Sequence, residues 1–143
     1  MRFWDSSALV SLVLEEPRSR RCRELLRADS AVVVWAFTRV EVVAAVRRRR
    51  RERAITDREA SEATDRLDRA AARWTEVVEL SPVRDRAERL LAVHPLRAAD
   101  ALQLGAALYA TRERPRRRAF VTSDDLLAEA AADEGFDVIV PQG

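Results

Sequence analysis

Apolar positions follow two different spacings along the chain. Five short runs, Arg2 to Trp4, Ala31 to Ala36, Glu76 to Leu80, Ala119 to Thr122 and Asp137 to Val140, are rich in valine, isoleucine and aromatic residues. Few polar residues interrupt them, the pattern of strands covered on both faces. Between the runs, apolar residues recur every three or four positions. That spacing predicts helices over Ser7 to Leu14, Arg18 to Arg27, Thr38 to Arg53, Asp57 to Trp74, Val83 to Val93, Arg97 to Arg112 and Ser123 to Glu134. Local punctuation agrees: Pro17 stops the first helix, Thr56-x-x-Glu59 has the capping-box pattern, and Gly135 stands where the last helix should end. Strands alternating with helices predict an α/β fold, with a mainly parallel sheet between helices on both faces.

The 143 residues suit one domain over 1–143, with neither an internal repeat nor a linker. No apolar run approaches the ~20 residues of a membrane helix. Asp5 interrupts the place where a signal peptide would stay apolar, so a cytoplasmic location without membrane association is expected. With only three glycines, neither a G-x-G-x-x-G loop nor a P-loop can form. One cysteine, Cys22, excludes an internal disulfide and a cysteine-based metal site; its helical neighbours Leu25 and Leu26 predict a buried thiol. The one histidine, His94, cannot build the usual zinc set and reads as a structural or solvated loop residue.

Net charge is +2 at pH 7, too small to imply a nucleic-acid partner by itself. The 26 basic residues are all arginine, concentrated in Arg47 to Arg51 with Arg53 and in Arg116 to Arg118. Such blocks are either solvated helix ends or, since the guanidinium fork matches phosphate geometry, sites for a phosphate backbone. Arg47, Arg48 and Arg51 are the candidates for such phosphate contacts.

Most acids lie among arginines on charged helix faces, but four do not. Asp5 closes the first apolar run, Glu41 lies among Phe37, Val40, Val42, Val43 and Ala44, Asp100 opens a helix beside Ala99 and Ala101, and Asp124 follows Phe120-Val121-Thr122. Asp5, Glu41 and Asp124 come just after strands, so a parallel sheet brings them to its carboxyl edge, where ligands bind; Asp100 joins them if its helix starts on that side. The competing reading is that each acid caps its own helix, and Thr38-x-x-Glu41 has the capping-box pattern too. Apolar flanks around Glu41 and Asp100 are not needed for capping. Two carboxylates at ~4 Å repel by ~4 kcal/mol at an effective dielectric of ~20. Four in one cleft therefore take up protons or a cation, and an oxygen-only set suits Mg²⁺ or Mn²⁺ better than zinc.

Four segments at these acids resemble the PIN-domain nucleases, specifically VapC-type toxins of bacterial toxin–antitoxin pairs. They are Trp4-Asp5-Ser6-Ser7-Ala8-Leu9-Val10, Thr38-Arg39-Val40-Glu41-Val42, the stretch Leu96 to Leu104 around Asp100, and Phe120-Val121-Thr122-Ser123-Asp124 followed by Leu126. Their order and spacing cover nearly the whole chain. The resemblance implies a three-layer α/β/α fold with a five-stranded parallel sheet in the order 3-2-1-4-5. It also implies a metal-dependent endoribonuclease, a VapB-type antitoxin in the active-site groove, and a homodimer. Asp5, Glu41, Asp100 and Asp124 would hold Mg²⁺ or Mn²⁺ and serve catalysis, with Ser7 and Thr122 behind them. Asp124 is favoured over the adjacent Asp125 by the Thr-x-Asp spacing.

Two rival readings have other requirements. An aspartyl-phosphate phosphatase using Asp5 would want an acid where Ser7 stands and a lysine the chain lacks, and a phosphoacceptor receiver domain has the same lysine problem. A PIN-like module that only binds RNA or protein would have no need of acids at all four positions.

Overall fold

A computed structural model describes all 143 residues. Its elements in chain order are β1 (Arg2–Trp4), α1 (Ser6–Val13), α2 (Ser19–Ala28), β2 (Val32–Trp35), α3 (Thr38–Arg51), α4 (Asp57–Ala71), β3 (Thr75–Val77), α5 (Leu80–Val93), α6 (Ala98–Ala110), β4 (Ala119–Val121), α7 (Asp125–Asp133) and β5 (Asp137–Ile139). The five strands form one sheet in the order β3-β2-β1-β4-β5. All four pairings are parallel, with Phe3 opposite both Val33 and Phe120.

Successive side chains of a strand point to opposite faces, and here each face has its own core. Trp4, Val32, Val34 and Val121 pack with residues of α1, α2, α3 and α4, whereas Phe3, Val33, Trp35, Val77 and Phe120 pack with α5, α6 and α7. Phe3 stacks on Phe120 with ring centroids 5.4 Å apart, and Phe136 closes on Phe120 at 5.5 Å. Cys22 is buried, as its neighbours predict. His94 is buried as well, sharing a 2.7 Å hydrogen bond with Glu134, which also accepts from Arg86. That places it as a tie between the end of α5 and the end of α7.

Both halves of the capping box at Thr56 and Glu59 form, at 3.1 and 3.0 Å. Gly135 has φ +108°, and the Gly135 and Phe136 amides return to the Ala132 and Ala131 carbonyls, which ends α7 in a left-handed turn open to glycine. Two expectations need correction. The two edge strands are not covered as the inner ones are: in β3 Thr75 and Glu76 are exposed and only Val77 is buried, and in β5 Asp137 is exposed while Val138 and Ile139 are half-buried. The chain is also helical from Leu80, three residues before Val83 and at the predicted end of the third strand, and Pro82 is compatible with this because it falls in the first turn, where no intrahelical partner awaits its missing N–H.

Close packing sets the position of α6. A Cβ on Gly105 would lie 3.1 Å from the Val83 carbonyl oxygen and 3.3 Å from the Ala87 amide nitrogen, so α5 and α6 approach backbone to backbone. That contact fixes the helix whose first turn carries Asp100.

Candidate active site

Strand pairing brings the first and last acids together. The Asp5 amide donates to the Val121 carbonyl at 2.9 Å, tying the end of β1 to the end of β4 just before Asp124. Asp5 is 2% exposed and caps α1 through the Ser7 amide. Its Oδ2 accepts from the Ser7 amide at 3.3 Å, from the Ser7 hydroxyl, and from Thr122 Oγ1 at 2.9 Å. Those hydroxyls are fixed in turn: Ser7 Oγ accepts from the Ser123 amide at 2.9 Å and Thr122 Oγ1 from the Asp124 amide at 3.0 Å. Asp5 Oδ1, by contrast, has only Ser6 Oγ at 3.4 Å. One carboxylate oxygen is anchored and the other is left available.

Glu41 does not cap α3. Phe37 occupies the cap position without a side-chain bond, so Thr38 and Glu41 start one residue too late for a capping box. Glu41 instead accepts from Gln103 Nε2 on Oε1 at 2.9 Å and from Ser6 Oγ on Oε2 at 3.0 Å. The same Ser6 hydroxyl thus stands between Glu41 and Asp5. Asp124 caps α7, accepting from the Leu127 amide at 2.9 Å. Capping and convergence are compatible, since Asp5 and Asp124 do both. Asp100 is partly buried in the first turn of α6, with no hydrogen bond or ion pair to its carboxylate.

The electrostatics follow from this crowding. Burial pushes the Asp5 carboxyl above its usual range; Ser7 and Thr122 oppose the rise, and Asp124 adds to it. Burial also raises Glu41, opposed by Gln103 and Ser6 and reinforced by Asp5 and Asp100. Asp100 is pushed up to about 6, first by burial, then by Asp124 and Asp5, with Arg97 pulling the other way. Arginines pair with acids across the rest of the surface, yet none forms an ion pair with these four. No three acids stand close enough together to make a ready-formed ligand shell. The site is an open set of carboxylates that mutual repulsion opposes drawing together. Its donors are all carboxylate and hydroxyl oxygens, which fits a hard divalent cation such as Mg²⁺ or Mn²⁺.

Other features lie outside this set. A cavity of about 580 Å³ opens between β3, α5 and α6, and none of the four acids lines it. Arg47, Arg48 and Arg51 project exposed from the C-terminal turns of α3, roughly 9–15 Å along the helix from Glu41 at 1.5 Å per residue. Sequence reasoning missed Ser6, Thr38 and Gln103 as members of the site. The one available signal was Gln103 itself, a polar residue within the apolar stretch Ala101 to Ala107.

A profile of the PIN domain family matches residues 2–133. Among solved structures, the crystal structure of PAE2754 from Pyrobaculum aerophilum is similar, with a TM-score of 0.68 over 96% of this chain and 87% of that one. Sequence identity is 17%, so that likeness is one of fold. No curated protein sequence gives a significant match.

Proposed function

The chain belongs to the PIN domain family, and from that membership we propose that it is a divalent-metal-dependent endoribonuclease, the toxin of a VapC-type toxin–antitoxin pair in the cytoplasm. PIN domains are typically metal-dependent nucleases, which makes phosphodiester hydrolysis the parent chemistry. The observation that carries the reading is the acid cluster: strand pairing sets Asp5 beside the β4 end that leads to Asp124, the Ser6 hydroxyl stands between Asp5 and Glu41, no side-chain cation is bonded to the four acids, and burial with neighbouring acids raises Asp5, Glu41 and Asp100. A buried acid with a structural role only would ordinarily be paired or replaced by an apolar residue.

In this proposal residues 1–143 act as one domain, and Asp5, Glu41, Asp100 and Asp124 hold the ion. When bound, the ion supplies Lewis acidity toward the phosphate and toward the attacking water. The chain's own residues prepare the place. Ser7 and Thr122 fix Asp5 through Oδ2, leaving Oδ1 with Ser6 alone, and Asp124 is held by the start of α7. Arg47, Arg48 and Arg51, exposed and without ion-pair partners, would contact RNA phosphates independently of sequence. Phe37, Val40 and Val43 are exposed beside Glu41, and this apolar strip supports a protein contact next to the cleft, for an antitoxin or a second subunit.

Brief expression followed by cleavage-site mapping on total RNA tests the proposal. New 5′ ends should accumulate with the wild-type chain and not with Asp5→Ala. Equal cleavage by both would remove Asp5 from the chemistry, and no cleavage by either would favour a binding module.

A further inference from the structure

A fully buried glutamine is costly in a core helix unless both ends of its amide are satisfied. Gln103 is 0% exposed in α6, where the other buried residues, Ala101, Leu104, Ala106 and Ala107 among them, are apolar. Its Nε2 donates to Glu41 Oε1 at 2.9 Å and to Thr38 Oγ1 at 3.0 Å, bridging α6 to α3. Thr38 is itself fully buried. The facing carboxylate dictates the amide's orientation, because the opposite flip would set two acceptors against each other.

We infer that Gln103 is a positioning residue that holds the Glu41 carboxylate in place for a divalent cation. The inference rests on the metal-dependent reading of the acid cluster. Gln103 lies three residues after Asp100, so one face of one helix delivers both a candidate ligand and the amide that orients another. The chemistry of the residue matters. An arginine or lysine here would neutralise Glu41 and compete with the ion, whereas an amide fixes the carboxylate and leaves its charge intact. A carboxylate has about four acceptor directions. Gln103 and Ser6 use two of those on Glu41, one on each oxygen, and leave the others free.

The test is Mn²⁺ titration by calorimetry on the intact chain, with thermal unfolding as a folding check. Gln103→Met keeps length and volume, and should weaken Mn²⁺ binding by about 10–100-fold, the usual cost of losing a partner behind a metal ligand. In a Glu41→Gln background the same change should have no further effect on affinity, because Gln103 acts through Glu41. A merely structural role would give losses that add. Should Gln103→Met fail to fold, Thr38→Val removes the amide's other anchor and should weaken Mn²⁺ binding in the same direction. Wild-type affinity in the Gln103 and Thr38 variants would overturn this role alone. No Mn²⁺ uptake by the wild-type chain would overturn the metal-dependent reading and this role with it.

Discussion

Replacing Asp100 by asparagine removes a negative charge while keeping the shape of the side chain, so two opposing effects can be separated. The Asp100 carboxyl is pushed from 3.8 up to about 6, chiefly by burial and then by Asp124 and Asp5. Taken at face value, that rise corresponds to ~3 kcal/mol of penalty on the charged form. The side chain is only partly buried, and solvent screening cuts the figure to ~1–1.5 kcal/mol. Against this, an acid in the first turn of a helix gains ~0.3–1 kcal/mol from the helix dipole, which Asn forfeits. The net expectation at pH 7.5 in chelator is a variant more stable by ~0–1.2 kcal/mol, centred near ~0.6 kcal/mol. Because the folded-state pKa lies above the unfolded one, the native state holds this proton more tightly. The stability linked to it is complete below pH ~4 and is lost as pH rises through about 6. The advantage of Asp100→Asn should therefore shrink between pH 7.5 and pH 4. Urea denaturation followed by circular dichroism at several pH values measures it. Saturating Mn²⁺ should reverse the order, since ligand at a hundred times its Kd stabilises the wild type by ~2.7 kcal/mol. A variant less stable than wild type in chelator at pH 7.5 would refute the reasoning, leaving Asp100 as a helix-start acid free of repulsion.

Three further outcomes follow from other parts of the molecule. Asp5→Ala should lower single-turnover RNA cleavage by on the order of 10³-fold, the scale of several kcal/mol of lost transition-state stabilisation, while circular dichroism shows the fold retained. Gly105→Ala should destabilise the chain by ~1–2 kcal/mol in urea despite alanine's better helix propensity, because its Cβ meets the α5 backbone at 3.1 and 3.3 Å. Replacing Arg47, Arg48 and Arg51 together by alanine should flatten the plot of log affinity for single-stranded RNA against log salt by ~2, from three lost phosphate contacts; an unchanged slope would show that the RNA lies elsewhere.

Elements and acids were legible in the sequence for local reasons. The inner strands lie in short apolar runs, and Asp5 and Asp124 follow, by one and three residues, two that pair side by side. The sheet order came from the family resemblance, because strand neighbours depend on contacts that no spacing records. What local pattern could not show was partnership at a distance. Thr38-x-x-Glu41 reads as a capping box, but Phe37 begins the helix and both side chains turn to Gln103, more than sixty residues on. Ser6 reads as an ordinary first-turn serine until Glu41 arrives beside it. The exposure of β3 was marked locally only by Thr75 and Glu76, and its place at the sheet edge depends on the sheet order.

Anomalous diffraction from crystals grown with Mn²⁺ asks directly whether the four separated acids make one cation site. A peak bounded by Asp5, Glu41, Asp100 and Asp124, absent from Asp5→Asn crystals grown in the same way, is the predicted result. Crystals saturated with Mn²⁺ that show no density among those side chains, or show the ion only at other acids, would contradict it.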